Sequence, residues 1–398
     1  MKEVVSMFHR KICALLLALL LMLLLVLSGF GVGAADVWPI DASAPDLALN
    51  CKSAVLMEAS TGKILYEQNP AEAMPPASVT KIMTLLLVME RIEAGALKWE
   101  DTVTASAHAA SMGGSQIFLK EGEQMTVRDL VKSVVIASAN DAAVALAEHT
   151  YGSEEAFVKR MNERARELGM TATCFENTNG LDDTAQNHVT SAGDIAIMSR
   201  ALITHKEILE FSSTWMDTIR GGAFGLTNTN RLVRFYRGCN GLKTGSTAKA
   251  GFCISVTAER EGMTLICVIM GAETRDIRNS EAARLLDWGF ATYGLFTAEG
   301  GAPDPLRVKG GVRDETGLSY PPFTAVLPRA DMAAVERTVT LPEFVAAPVR
   351  RGEMVGKVTY TCKGQTLGEV AVTASETVEK LEFPEIWVRM MRRALGLS

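Results

Sequence analysis

The chain has 398 residues, 40 Lys plus Arg against 46 Asp plus Glu, and a formal net charge of −6 at pH 7. Its length suits two or three domains of about 100 to 200 residues each, and 48% hydrophobic with 22% charged residues is the composition of a globular protein. The negative charge and 6% aromatic content argue against a nucleic-acid partner, which calls for a basic footprint and stacking rings.

Lys2, Arg10 and Lys11 precede an apolar run from Ile12 to Leu27, and small residues follow from Ser28 to Ala35. That is the pattern of a secretory leader, residues 1–34, cleaved after Ala34 or Ala35. The alternative is a retained anchor, but the run is short against the roughly 20 residues that a span needs. Export permits disulfides, yet Cys51, Cys174, Cys239, Cys253, Cys267 and Cys362 show no C-x-x-C spacing. No zinc site is expected and no pairing can be assigned. Cys253 and Cys267 lie in apolar runs and read as small buried hydrophobes.

Ala54–Met57 and Lys63–Tyr66 flank Glu58-Ala59-Ser60-Thr61-Gly62, a strand, turn, strand pattern. Pro75 and Pro76 then introduce a helix starting near Ala77, and Ile82 to Val88 is nearly all apolar, so this helix should be buried all round. Further helices are expected over Thr126–Ile136, Asp141–His149, the amphipathic stretch Glu154–Leu168, and Ala192–Ile203. From Gly251 the pattern becomes two strands, Phe252–Thr257 and Leu265–Met270, closed by a helix over Ser280–Thr292. Strand, helices, strands and helix in one unit predict an α+β fold, an antiparallel sheet covered by helices with a helical subdomain.

Composition shifts after Gly294. Gly300-Gly301-Ala302-Pro303-Asp304-Pro305 is linker-like, and short β-rich runs such as Thr338–Leu341 and Lys357–Tyr360 follow. The expected division is therefore a first domain over 45–295, a small β-sandwich-like domain over 305–378, and a tail over 384–398. In the tail a helical wheel gathers Ile386, Trp387, Met390, Met391, Ala394 and Leu395 on one arc and Arg389, Arg392 and Arg393 on the other. Such a helix suits the membrane interface, lying on it rather than spanning it; a terminal helix packed on its own domain is the alternative.

Three strings carry chemistry: Ser78-Val79-Thr80-Lys81, Ser138-Ala139-Asn140, and Lys243-Thr244-Gly245. A serine hydroxyl needs a base within hydrogen-bond reach to act as a nucleophile. Positions i and i+3 share a helix face, and burial would depress the lysine pKa enough for it to take the serine proton. The S-x-x-K pattern also occurs at Ser60–Lys63 and Ser246–Lys249, but on a turn and on the approach to a strand, where the two side chains share no helical face. Ser138 and Asn140 sit on a tight connection between helices. There they can relay a proton and hold substrate, or Asn140 or Asp141 can simply cap the next helix. Lys243-Thr244-Gly245 immediately precedes the strand at Gly251, with a cation and a hydroxyl for a carboxylate and a glycine for close approach; a solvated turn lysine is the plain alternative. No G-x-S-x-G or H-E-x-x-H string is present, and His108, His149, His188 and His205 show no ligand spacing, so they read as surface or packing residues and no metal is expected.

With the flanking segments Pro76–Lys81, Gly113-Gly114-Ser115, Ser138–Ala143, Phe157–Met170, Asn177–Leu181, Asn228-Thr229-Asn230, Gly241–Gly245 and Leu285–Phe290, the chain resembles the serine-type D-alanyl-D-alanine carboxypeptidases, the low-molecular-mass penicillin-binding proteins. The resemblance covers about residues 45–295 and, more weakly, the β-rich region and tail. It implies a β-lactamase/DD-peptidase-like fold and a cell-wall enzyme at the outer face of the cytoplasmic membrane. Ser78 would be acylated by a peptidoglycan stem peptide ending in D-Ala-D-Ala, releasing the last D-alanine. Lys81 would be the base, Ser138 and Asn140 would assist, and Lys243, Thr244, Gly245 and the backbone of Ser246 would bind substrate. β-Lactams would be covalent inhibitors, with no cofactor. Asn240 stands where the family often has an acidic residue and Ser246 where a bulkier one is common, departures that bear on substrate preference. A class A β-lactamase needs a deacylating glutamate, and no Glu-x-x-[Leu/Thr]-Asn string lies between Ser138 and Lys243. The remaining alternative is a binding module that keeps the fold without turnover.

Overall fold

The computed structural model describes residues 47–181 and 185–395; the expected leader and the last three residues of the tail lie outside them. Strand β1 (Ser53–Glu58) pairs antiparallel with β2 (Ile64–Gln68) through a turn in which the buried carboxylate of Glu58 accepts from the hydroxyls of Ser60 and Thr61. Ser60, the first decoy serine, is thus spent on its own turn. Residues Ala77–Thr80 form a 3-10 turn that runs into helix α1 (Lys81–Glu93). Helices α2 (Val127–Ile136), α3 (Asn140–Tyr151), α4 (Glu154–Glu167) and α5 (Ala192–Leu202) follow. The chain then returns as strands β3 (Cys239–Thr247), β4 (Gly251–Arg260) and β5 (Met263–Ala272), and closes with α6 (Arg275–Thr292).

The sheet order is β2-β1-β5-β4-β3, all antiparallel, with β3 at the edge. Because side chains alternate along a strand, each strand feeds two cores. Val55, Ile266, Val268 and Met270 face the cluster shared with α1 to α5, while Ala54, Leu56, Cys267 and Ile269 face the cluster closed by α6. The nine residues Lys81–Met89 of α1 are all buried, as its apolar run requires. Burying one large apolar side chain stabilises by about 1.5–3 kcal/mol, so this helix is a fixed platform for whatever its first turn carries.

One expectation is extended and another corrected. Lys243-Thr244-Gly245 does precede the strand at Gly251, and it also lies within a strand of its own, the edge strand β3. The polar and glycine content of 239–247 hid the strand; Lys243 and Thr244 are both buried, and Thr244 lines the cleft described below. Helix α6 starts at Arg275, five residues before the expected Ser280, with Thr274 Oγ1 accepting from the Ile277 N–H as its N-cap. A charged first turn carries no apolar periodicity, so the sequence pattern began late.

Beyond α6 the chain is β-rich. Strands Tyr293–Ala298 and Phe323–Pro328 pair, and a four-stranded sheet is built from Leu318–Ser319, Gln365–Ala374, Met354–Cys362 and Val335–Thr340. Its core includes Tyr360 stacked on Phe323 at 4.2 Å. Helix α7 (Phe383–Ala394) follows and leaves Phe383, Trp387 and Met390 exposed. Among the described residues no helix is long and apolar enough to cross a membrane, and no cluster of His, Cys, Asp and Glu could hold a metal. The six cysteines from Cys51 onward are unpaired, with Cys253 and Cys267 buried.

Candidate active site

Ser78 lies in the 3-10 turn rather than in an α-helix. With 3.0 residues per turn, i and i+3 eclipse, which brings Ser78 over Lys81 more directly than α-helical geometry would. The turn is entered through Ala77 at φ 51°, in the left-handed region, so the backbone there is held by its surroundings rather than by local preference.

Lys81 is fully buried. Its Nζ lies 2.8 Å from Ser78 Oγ, 2.6 Å from Asn140 Oδ1 and 2.7 Å from the Asn179 carbonyl oxygen. A neutral amine has two N–H donors and one lone pair. Donation to Asn140 and Asn179 leaves the lone pair directed at the serine hydroxyl, the arrangement a general base needs. Desolvation, and after it the positive charge of Lys243, holds the Lys81 pKa well below the usual lysine value, against the opposing pull of Asp141.

Each partner of Lys81 is itself fixed. Asn140 Nδ2 donates to the Gly113 carbonyl at 2.7 Å and its backbone N–H to Ser115 O at 2.7 Å. Asn140 is therefore not a helix cap; the N-cap of α3 is Ala139. Asp141, in the first turn, does both jobs: its carboxylate accepts from the Ala142 N–H at the helix start and from the N–H groups of Ile117 and Leu119, and so ties down the loop that holds Asn140. Asn179 sits in a loop in which Asn177 Oδ1 accepts from the Gly180 N–H, Glu154 Oε1 accepts from Thr178, and Thr84 Oγ1 donates to Thr178 O. Gly180, at φ 84°, packs so closely that a Cβ there would lie 1.9 Å from Ala77 O.

Strand β3 runs alongside. A Cβ at Gly245 would meet Ser78 N at 2.8 Å and Pro76 O and Val79 N at 2.9 Å, so only glycine lets the strand lie against the turn. Lys243 Nζ donates to Thr244 O at 3.0 Å and Thr244 Oγ1 to Thr229 Oγ1 at 2.8 Å. Burial and the nearby Arg278 bring the Lys243 pKa down to about 7.

These groups open onto a cleft of about 570 Å³ lined by Ser78, Ser138, Thr244, Gly245 and Ser246. Ser138, at φ 62°, is placed on its wall by the sharp connection between α2 and α3. Five of the eight expected site residues line the cleft; Lys81 and Asn140 stand behind Ser78 through their hydrogen bonds, and Lys243 is buried beside Thr244. The cleft also contains groups that sequence reasoning missed. Arg231, Arg275 and Arg278 line it, and no carboxylate does among the described residues. Arg278 is buried, its pKa lowered to about 10 by desolvation. The signal was present: Arg275 and Arg278 follow a Thr cap and share a helix face at i, i+3. Asn240 does not line the cleft. It accepts from Thr257 Oγ1 at 2.7 Å through its side chain and from Ser212 Oγ through its carbonyl. His188, read as a surface or packing residue, is buried with Nε2 2.7 Å from Thr80 Oγ1.

The arrangement can activate a serine, recognise a terminal carboxylate, and admit an extended chain along the free edge of β3. Comparison with known proteins bears on which reaction this is. The model of the D-alanyl-D-alanine carboxypeptidase family matches residues 40–274, and that of the penicillin-binding protein 5 C-terminal domain matches residues 306–380. D-alanyl-D-alanine carboxypeptidase DacF of Bacillus subtilis is 40% identical over 358 residues, 88% of this chain and 90% of the relative. DacC of Escherichia coli is 34% identical over 360 residues, 87% of this chain and 89% of the relative. Among solved structures, penicillin-binding protein 5 of Haemophilus influenzae superposes with a TM-score of 0.74 at 30% identity, covering 83% of this chain and 98% of that one. Penicillin-binding protein D2 of Listeria monocytogenes, in its ampicillin-bound form, does so with 0.57 at 35% identity, covering 62% of this chain and 100% of that one.

Proposed function

The chain belongs to the D-alanyl-D-alanine carboxypeptidase family of penicillin-binding proteins, and from that premise we propose that it removes the terminal D-alanine of peptidoglycan stem peptides through an ester on Ser78. The observation that carries the assignment of roles is the shared position of Lys81 Nζ, within 2.8 Å of Ser78 Oγ, Asn140 Oδ1 and Asn179 O at once.

The stem peptide lies along β3 with its terminal carboxylate against Lys243 and Thr244, and buried Arg278 adds a fixed positive charge. Lys81 takes the Ser78 proton as Oγ attacks the carbonyl carbon of the penultimate D-alanine. The oxyanion sits between the backbone N–H groups of Ser78 and Ser246, donors worth about 3–4 kcal/mol each in comparable hydrolases. As the C–N bond breaks, the proton that Lys81 took is relayed through Ser138, which gives its own proton to the leaving amine and is reprotonated in turn, so D-alanine departs and Lys81 is neutral again. Water then attacks the ester, Lys81 accepts its proton, and Ser78 Oγ is reprotonated as the shortened peptide leaves. A β-lactam carries a strained amide and a carboxylate in the same relation, and it acylates Ser78 in the same way. Among the described residues the lining of the cleft offers no carboxylate to activate water, which supports a persistent ester and weighs against a class A β-lactamase.

The substrate lies outside the cytoplasmic membrane, so this reading includes export by the leader 1–34, a catalytic unit over 45–295, a β-rich unit over 305–378, and a tail over 384–398 that rests on the membrane surface. The exposed Phe383, Trp387 and Met390 support the last point. The test is release of D-alanine from a stem-pentapeptide mimic, with mass spectrometry locating a penicillin adduct. Expected are stoichiometric D-alanine and one adduct on Ser78 that Ser78→Ala abolishes. Rapid repeated penicillin hydrolysis, or an unlabelled Ser78 with no D-alanine released, would overturn the proposal.

A further inference from the structure

His188 lies outside the three motifs and bridges the two segments that build the base and the nucleophile. Its Nδ1 accepts from the Glu176 N–H at 2.9 Å, at the entry to the loop whose Asn179 carbonyl holds Lys81. Its Nε2 lies 2.7 Å from Thr80 Oγ1, between Ser78 and Lys81 in the 3-10 turn. Thr80 Oγ1 donates to Ala77 O at 2.8 Å, so it meets the imidazole as an acceptor. The ring therefore accepts at Nδ1 and donates at Nε2, and both contacts select the neutral Nε2–H tautomer. The ring is 6% exposed and stands edge-on to Phe175 at 5.7 Å. The chain His188 to Thr80 to Ala77 O ends on the residue whose left-handed φ aims Ser78, on the same carbonyl against which Gly180 packs.

We infer that His188 is a positioning residue for acylation: a neutral imidazole strut that sets the distance between the Ser78 turn and the Asn179 carbonyl, and so directs the Lys81 lone pair at Ser78. It touches no reacting atom. The inference rests on the roles proposed above for Ser78 and Lys81, and penicillin acylation of the wild-type protein at Ser78 is the control that tests those roles separately.

The experiment compares His188→Phe, His188→Asn and His188→Gln with wild type. Phe keeps the ring volume and loses both hydrogen bonds; Asn keeps an acceptor for Glu176, and Gln keeps a donor for Thr80. The second-order rate of penicillin acylation should fall by about 10²-fold for Phe, the scale of a misplacement near 1 Å, with Asn and Gln between. For the peptide, kcat should fall while KM stays within about twofold, since Lys243 and Thr244 stand on β3. The acidic limb of the acylation profile should also move to higher pH, as a loosened turn lets water reach Lys81 and relieve its desolvation. In ¹⁵N-labelled wild type, long-range imidazole correlations should show protonated Nε2 and bare Nδ1. Folded variants that melt lower but acylate at the wild-type rate with an unmoved pH limb would overturn the inference. So would an Nδ1–H tautomer, which needs no variant to fold.

Discussion

Gly245→Ala isolates the close approach of β3 to the nucleophile. The three nearest atoms to a Cβ there are all backbone, Ser78 N at 2.8 Å and Pro76 O and Val79 N at 2.9 Å, so no side chain can rotate away. Ordinary contact begins at 3.4 Å, and the shortfall from 3.4 to 2.8 Å is 0.6 Å. Either the edge strand or the turn has to shift by that amount. Catalytic groups tolerate about 0.5 Å of displacement, and about 1 Å costs near 10²-fold, so a loss of about 10- to 100-fold in acylation is expected. Overpacking at one edge-strand position costs about 1–3 kcal/mol of stability, which leaves the fold intact. The assay is stopped-flow acylation by a fluorescent penicillin beside a thermal melt. Acylation within about twofold of wild type would refute the steric reasoning, because the strand could then recede without disturbing Ser78.

Three further outcomes follow from the same geometry. Peptide kcat/KM should rise with pH as Lys81 loses its proton and fall again above about 7, where Lys243 loses the charge that binds the carboxylate; a pH-rate profile that stays flat from 7 to 9 would contradict the clamp. Arg278→Gln should weaken peptides with a free terminal carboxylate by about 10- to 150-fold, the worth of a charge-assisted hydrogen bond at about 1.5–3 kcal/mol, and should leave amide-capped analogues nearly unchanged; equal losses for both would remove Arg278 from carboxylate recognition. Asn140→Ala strips Lys81 of one acceptor and the Gly113 carbonyl of its donor, and acylation should drop by about 10²-fold with its acidic limb displaced, whereas an unmoved profile would mean that Asn140 serves only the loop.

Ser78, Lys81 and Lys243, the proposed nucleophile, base and cation, were legible because such chemistry depends on side-chain type at fixed spacing. The surrounding helices were legible because their apolar residues either follow helical periodicity, as in α4, or run on continuously, as in α1. What stayed hidden shares a different character. The third partner of Lys81 is a main-chain carbonyl, and no side chain at position 179 announces it; the clue is Gly180, whose absent Cβ lets that loop close on Ala77. Strand β3 was missed because Lys243 and Gly245, which flank the strand-favouring Thr244, are depleted in strands and break the apolar pattern. Arg275 and Arg278 fell in a charged first turn that periodicity does not see. His188 looked like packing because its bonds go to a hydroxyl and to an N–H from distant segments of the chain.

The two buried lysines illustrate how one environment serves opposite needs. Both lose solvation, which lowers both pKa values, but in the proposed mechanism Lys81 works without its proton and Lys243 works with it. The structure separates them by neighbours. Lys81 has three oxygen partners whose geometry suits a neutral amine, and the charge of Lys243 pushes its pKa down further. Lys243 Nζ donates to the Thr244 carbonyl and sits near Arg278, and burial with that neighbour brings its pKa to about 7, so its charge is only marginally held by the protein itself. An arriving carboxylate supplies the missing counter-charge and fixes the proton on Lys243, with Arg278 sharing the anion. Binding therefore commits Lys243 to its cationic form, and that cation is in turn one of the charges that keep Lys81 able to act as a base.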